Sequence, residues 1–302
     1  MCRMKSLKEL LPRDLSRKAR MWLSFLPDES YIRLFYYVST GRCINLKAPV
    51  LFSEKQQWLK LHQIHPEYRD LVDKLKVNEH VDKCIGEGHV FHVLGKWKTF
   101  DEIDFDALPN QFVLKCNHDS GSTKVIRDKQ ALSKEELTKL KEHFDYRIKQ
   151  DYFYAGREYP CKGIEPYIIA QQYMVDNAHP DSSIEDYKFF CFNGEPKLMF
   201  VASDRNTDVK FDFFDMDFNW LDIQNIHPNS GKAIKKPEQF EEMKEIAAKL
   251  SKGMPFVRID LYDINGTVYF GEYTFFHGGG FCLFHPMEWE RKLGDWIHLE
   301  GN

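Results

Sequence analysis

An α+β fold is what this sequence predicts, and three observations carry the prediction. Two Asn-Gly pairs, Asn193-Gly194 and Asn265-Gly266, each join runs of β-branched and aromatic residues, the pattern of a tight antiparallel hairpin. Long segments of helical period, such as SKEELTKLKEHFDYRIKQ and PEQFEEMKEIAAKLSKG, fall between those hairpins. Hairpins interleaved with helices in this way make an α+β arrangement and not a βαβ parallel sheet.

The chain of 302 residues is long enough for about two domains, or for one domain with an inserted lobe. A hydrophobic content of 43% with 15% aromatics describes a folded chain. Its net charge of −4 argues against nucleic acid as a partner, because a phosphate-tracking surface usually makes a domain strongly basic. The seven cysteines are odd in number, scattered, and form no C-x-x-C pair, which favours reduced thiols in a cytoplasmic protein over a disulfide or zinc framework. No apolar run approaches the roughly 20 residues that span a bilayer.

Residues 1–100 read as a mainly helical, charged region. Its first segment sets Arg3, Lys5, Lys8, Arg13, Arg17, Lys18 and Arg20 among leucines and Trp22, without the apolar core of a signal peptide. Such a segment could rest on the inner face of an anionic membrane, or pack as a solvated helix on its own protein. A second helix runs through Tyr31 to Val38, and Ser53 is the expected N-cap of EKQQWLKLHQI. Tyr68 to Ile85 has helical period throughout, with Lys74, Lys76 and Lys83 on its solvated face.

From Phe112 the pattern changes. FVLKCNHDSGSTKVI reads as strand, small polar turn, strand; a helix with a capping box of Ser133 and Glu136 follows. After Pro166 come the strand YIIAQQYM, the hairpin DYKFFCFNGEPKLMFVAS and the strand and turn FDFFDMDFNW. The helix ending near Gly253 then leads into PFVRIDLYDINGTVYFGEYT.

That last hairpin is where the chemistry concentrates. A bare two-residue Asn-Gly turn pairing Ile264 with Thr267 sets Asp260 against Gly271 and sends Glu272 to the other face. A loop one residue longer, with Gly266 as a bulge, sets Asp260 opposite Glu272 and Arg258 opposite Thr274, and we favour this register. Facing carboxylates repel unless a proton or cation intervenes, and with Arg258 and Thr274 alongside, the natural occupant is Mg²⁺ carrying nucleotide phosphates. The alternative is a surface ion pair of Asp260 with Arg258. Upstream, Lys115 ends an apolar strand and is followed by Ser120-Gly121-Ser122-Thr123, a small loop able to fold backbone N–H groups over phosphate, or to serve as a plain hairpin turn. Neither P-loop nor G-x-G-x-x-G spacing is present.

Taken in order, EKQQWLKLH, FVLKCNHDSGS, DYKFFCFNG, SKGMPFVRIDLY and FGEYTFFHGGGF resemble the TupA-like branch of the ATP-grasp superfamily, from about Leu46 to the carboxy terminus. The resemblance implies two α+β lobes clasping nucleotide, residues 101–174 and 175–302, beyond the helical region. It also implies an ATP- and Mg²⁺-dependent ligase that joins a carboxylate to an amine through an acyl-phosphate. The acid would be a uronic acid of a surface or capsular polysaccharide or its precursor, and an amino acid or another amine would be attached to it. By the same resemblance, Lys74, Lys115 and the loop 119–123 contact phosphate; Gln171, Gln172, Tyr173 and Met174 form the adenine hinge; and Asp186 approaches the ribose. Lys188 and Arg205 face the γ-phosphate or the acceptor, Arg258 stabilises the transferred phosphoryl group, and Asp260, Glu272 and Thr274 bind Mg²⁺. His277, before Gly278-Gly279-Gly280, would orient the acceptor carboxylate. Asp119 departs from the family's usual glycine and adds negative charge beside a polyanion; Gln171 and Gln172 replace the usual hinge acids.

Two alternatives stand beside the ligase. Asp215-Met216-Asp217 is the D-x-D by which many glycosyltransferases bind metal and nucleotide-sugar, although between Phe214 and Phe218 it also reads as a turn. A non-catalytic nucleotide-binding protein is the other.

Overall fold

The computed structural model describes residues 20–177, 184–204 and 208–299. The basic segment before Arg20, and Arg205, lie outside the described residues.

Four helices open the described chain: α1 (Asp28–Thr40), α2 (Phe52–His62), α3 (Tyr68–Val72) and α4 (Val77–Ile85). Two of them differ from expectation. Helix α2 is capped at Leu51, not Ser53, because the Glu54 carboxylate reaches back to the backbone N–H groups of Val50 and Leu51 at 3.0 and 3.1 Å. Ser53 is buried instead and donates to Glu290 at 2.8 Å. The expected single helix over Tyr68 to Ile85 is broken at Asp73, whose backbone is extended and whose carboxylate accepts from Leu75 N and from Asn117 Nδ2, both at 2.9 Å. Helical period survived across a break that a distant asparagine holds open.

Two antiparallel sheets follow. Strands β1 (Val93–Trp97), β2 (Phe112–Cys116), β3 (Lys124–Ile126) and β4 (Ile168–Gln172) form a four-stranded sheet in the order β1-β4-β2-β3. Its first strand comes from within the stretch read as mainly helical. Phe112, Leu114, Cys116, Ile168 and Ala170 form a small core with Leu140 and Phe144 of α5 (Lys134–Arg147), which carries the expected Ser133–Glu136 capping box. Alternation therefore turns Val113, Lys115, Ile169 and Gln171 to the opposite face, and the pairings Lys115–Ile169 and Val113–Gln171 confirm that they share it.

The second sheet holds six strands in the order β10-β9-β5-β6-β7-β8, with β5 (Asp186–Phe192), β6 (Glu195–Ser203), β7 (Lys210–Phe214), β8 (Trp220–Leu221), β9 (Phe256–Ile264) and β10 (Thr267–Thr274). One face packs on the helix Phe240–Leu250 through Phe189, Cys191 and Tyr273. The other face changes character along each strand. Near one end Phe190, Phe192 and Phe256 pack around Phe52 of α2 and Phe284. Further along, Asp186, Lys188, Arg258, Asp260, Glu272 and Thr274 occupy the same face.

The register of the last hairpin is the favoured one, reached by a different device. Ile264 does pair with Thr267 across a two-residue turn, with Asn265 and Gly266 at φ 54° and 78°. The extra residue is Gly271, a bulge in β10 that brings Glu272 opposite Asp260 and Thr274 opposite Arg258. Only glycine fits there: a Cβ would lie 2.8 Å from the Tyr262 ring and 3.0 Å from the Asp260 carbonyl oxygen.

Candidate nucleotide and ligation site

The polar face of the six-stranded sheet, the break at Asp73 and the loop after β2 enclose a cleft of about 570 Å³. Arg258 is its organising group. Its Nε and Nη2 fork onto Asp260 at 2.6 and 2.7 Å, Nη2 also donates to Thr274 Oγ1 at 2.9 Å and Glu272 Oε1 at 3.1 Å, and Nη1 donates to His277 Nδ1 at 2.9 Å. Lys188 bonds the same Asp260 carboxylate and reaches Asp186 at 2.6 Å. Burial alone would raise the Asp260 carboxyl, but Arg258 and Lys188 hold it below the usual carboxylate range.

These contacts revise three expected roles. Asp186 is 1% exposed and serves as an anchor for Lys188, off the cleft surface where a ribose would lie. His277 is 1% exposed, with both ring nitrogens engaged, Nδ1 by Arg258 and Nε2 with Asn225 Oδ1 at 2.8 Å. Burial and the Arg258 charge push its pKa well below the ordinary value, so the neutral ring accepts from Arg258 and donates to Asn225; it positions Arg258 and does not meet an acceptor. Asp260, expected to hold Mg²⁺, already takes three N–H donors, leaving Glu272 as the carboxylate with an oxygen open to the cleft.

Among the described residues no group of three or more His, Cys, Asp or Glu is arranged to hold a metal. Glu272 and the Thr274 hydroxyl nevertheless offer hard oxygen donors on the cleft side of Arg258. That set fits Mg²⁺ delivered on phosphates, which needs only one or two protein carboxylates, and does not fit an all-protein cage.

Across the cleft the loop after β2 is built around Asp119. Its buried carboxylate takes Arg147 Nε at 2.6 Å and Ser122 Oγ at 2.5 Å, and Ser122 Oγ accepts from Cys116 N at 2.8 Å. The negative charge expected beside the phosphates is thus turned inward and neutralised by Arg147. Ser120 and Thr123 are exposed and Ser120 lines the cleft, Gly121 packs against Arg147, and Ser122 is an internal staple. Lys74, freed by the helix break, donates to the Asp119 carbonyl at 2.5 Å and lines the cleft instead of a solvated helix face.

The Lys115 ammonium makes no hydrogen bond or ion pair to a described residue. Its pKa falls to about 7, first through burial and then through Lys74, with Glu272 opposing. The Lys74 charge lowers it and the Glu272 charge raises it, so both charges lie within electrostatic reach of Lys115. Gln171 is buried on the sheet face that carries Lys115, whereas Gln172 and Tyr173 border a separate hollow with Leu94 and Pro109. Met174 is partly buried in the connection that follows, which Asn265 ties to the hairpin turn through Val175 O at 3.0 Å and Asn177 N at 2.8 Å. Asp215 accepts from the backbone of Asp217 and Asn219 and from the Asn219 side chain at 2.8–3.0 Å, so the D-x-D is a turn away from the cleft.

Sequence reasoning missed Asn225, Arg147, Lys60 and Glu158. No local pattern marks the first two, which act through partners 52 and 28 positions away. Lys60 sits inside EKQQWLKLH, to which the sequence assigns no role residue by residue; it is 5% exposed.

No curated protein matches the chain by sequence. Among solved structures, D-alanine–D-alanine ligase from Helicobacter pylori aligns with a TM-score of 0.47 at 12% identity, covering 82% of this chain and 69% of that one. D-alanine–D-alanine ligase from Bacillus anthracis complexed with ATP aligns with a TM-score of 0.37 at 15% identity, covering 68% of this chain and 53% of that one. N5-carboxyaminoimidazole synthase from Aspergillus clavatus, in complex with ADP and 5-aminoimidazole ribonucleotide, gives 0.39 at 10% identity, covering 68% and 44%. The chain thus spans little more than half the length of the Bacillus ligase, and at these TM-scores the assignment rests on sequence. The model of the TupA-like ATPgrasp family matches residues 54–298, most of the chain, and this protein belongs to that family.

Proposed function

We propose that this protein is an ATP-dependent carboxylate–amine ligase. ATP phosphorylates a carboxylate, and the amine attacks the resulting acyl-phosphate. The observation that carries the reading is the set of cations on both sides of the cleft, Lys74 on one wall and Arg258 and Lys188 with Glu272 on the other, with Lys115 close enough to feel both Lys74 and Glu272. Polyphosphate carries the charge that such walls complement, and cations fixed before the reaction begins stabilise negative charge as it shifts during phosphoryl transfer. Arg258 is fixed in this way, because Asp260 and His277 hold its guanidinium from two sides.

Mg²⁺, held by Glu272 and Thr274 together with the phosphates, would neutralise part of the nucleotide's charge. The segments 101–174 and 175–302 act as the two lobes, and Gln171 to Met174 as the adenine hinge between them. The acid is a uronic acid of a surface or capsular polysaccharide or its precursor, which a basic amino-terminal segment would meet at the inner membrane face. No described helix is long and apolar enough to cross a membrane.

The test is an ADP-release screen over uronic acids and amino compounds. The ligase releases ADP only when acid and amine are both present, and yields a hydroxamate when hydroxylamine replaces the amine. Binding of Mg-ATP with no ADP under any mixture would establish a non-catalytic nucleotide-binding protein instead.

A further inference from the structure

The end of the cleft beyond Arg258 contains charges that nucleotide binding does not use. Gly156, Arg157 and Glu158 form a sharp turn in which Arg157 takes a left-handed conformation (φ 56°). The Arg157 guanidinium is buried beneath the amino-terminal helices, donating to the carbonyls of Leu23, Ser24 and Leu26 at 3.1–3.2 Å and lying over the Tyr31 ring. With Arg157 held there, Glu158 is turned into the cleft.

The Glu158 carboxylate makes no hydrogen bond and no ion pair to a described residue, although its backbone carbonyl accepts from Cys161 N at 2.9 Å. The charges that act on it are Lys60, Arg20, Glu272 and Arg258, and burial raises its carboxyl above the ordinary value. Lys60 does not neutralise it by contact: its ammonium is spent on the carbonyls of Gly156 and Gly279 at 2.7 and 2.6 Å and lies 4.6 Å from the centre of the Phe281 ring. Lys60 therefore fixes the separation of two loops, the one that carries Glu158 and the glycine loop after His277. Arg20 lines the same end, with Nη1 on the Ala155 carbonyl at 3.0 Å and its guanidinium 5.3 Å from the Phe35 ring centre. Its Nε and Nη2 make no hydrogen bond to a described residue.

A withdrawn carboxylate without a hydrogen-bond partner, beside a guanidinium with donors to spare, is complementary to a molecule carrying both ammonium and carboxylate. We propose that this end of the cleft is the subsite for the amine substrate, that Glu158 binds its ammonium and Arg20 its carboxylate, and that the amine is an amino acid. This rests on the ligase reading and assigns the residues that choose between the two amine classes, amino acid or simple amine, which that reading leaves open. Lys60 is a positioning residue here, since it touches the two loops and not the ligand.

Calorimetric titration with the twenty common L-amino acids, in the presence of a non-hydrolysable ATP analogue, tests the subsite directly. The expected result is binding of at least one amino acid, weakened roughly tenfold to a hundredfold in Glu158→Gln and in Arg20→Ala, the range expected for a lost charge-assisted hydrogen bond. Glu158→Asp should restore part of it. The amine lacking the carboxylate, such as ethanolamine for serine, should bind the wild type as weakly as serine binds Arg20→Ala. Binding of no amino acid, or equal binding by wild type and Glu158→Gln, overturns the proposal. Hydroxylamine separates this from failure of the ligase reading, because it is mostly uncharged at neutral pH and bears no carboxylate. Hydroxamate formed equally by wild type and Glu158→Gln supports both readings when amino-acid binding is lost in the variant. Hydroxamate with unchanged amino-acid binding sinks the subsite alone, and no hydroxamate from any uronic acid sinks the ligase.

Discussion

The two walls of the cleft hold their charges in opposite ways. On the six-stranded sheet the charges that face the cleft are paired: Arg258 touches Asp260, Glu272, Thr274 and His277, and Lys188 bridges Asp186 and Asp260. On the four-stranded sheet Lys115 stands without an ion partner, beside a second cation, Lys74. One wall is finished before a ligand arrives, and the other holds positive charge in reserve for an anion that the protein does not supply. The contrast teaches that a residue's type does not reveal whether it stabilises the fold or waits for substrate; its partners do.

Removing an anion from the finished wall gives the largest effect. Asp260→Asn leaves Arg258 and Lys188 buried with a neutral amide between them, and should cost about 3–5 kcal/mol in a denaturant titration. Glu272, directly opposite but with a side chain 40% exposed, behaves otherwise. Glu272→Gln should change stability by less than about 1 kcal/mol, because its one ion pair faces solvent. In the ligase assay it should lower ADP release roughly 100-fold, as the loss of one fixed electrostatic contact to the reacting group does. Equal stability losses in the two variants would erase the distinction between the two carboxylates.

How much of this could be read from the sequence follows from range. The hairpins, the Ser133 capping box and the strands from Phe112 onward are set by residues within a few positions of each other and were legible, whereas β1, which pairs with a strand about 75 positions later, was not. The facing of Asp260 and Glu272 was legible too, but not its cause, since an Asn-Gly turn signals loop length while the bulge depends on Tyr262 packing over Gly271. The helix break that delivers Lys74, the Arg147 that neutralises Asp119 and the Asn225 behind His277 were not legible, because each depends on a contact between segments far apart in the chain. Gly271→Ala probes the bulge directly. The added methyl group overlaps the Tyr262 ring and should cost roughly 1–3 kcal/mol. If β10 relieves the clash by losing the bulge, Glu272 turns to the opposite face, and activity falls far more than stability does.

The reserve wall makes the smallest change and the most specific one. Lys115, with its pKa near 7, is largely neutral at pH 8 in the free protein, and phosphate bound beside it raises that pKa. Nucleotide binding at pH 8 should therefore take up roughly half a proton, measurable as a difference in calorimetric enthalpy between buffers of different ionisation heat. The sign follows from the shift: the charge is nearly fully present at pH 6 and half present at pH 7, so affinity is highest at low pH and falls by about tenfold in all between pH 6 and pH 9. Lys115→Met should abolish the proton uptake and weaken binding by about tenfold at pH 6, with little effect at pH 9. The same depressed pKa makes the unfolded chain bind more protons than the folded one between pH 7 and the ordinary lysine value of 10.5. Wild-type stability should accordingly gain a rising component across that interval that the methionine variant lacks. A variant that binds nucleotide with unchanged pH dependence would place Lys115 outside the phosphate path and leave Lys74 as the only cation opposite Arg258.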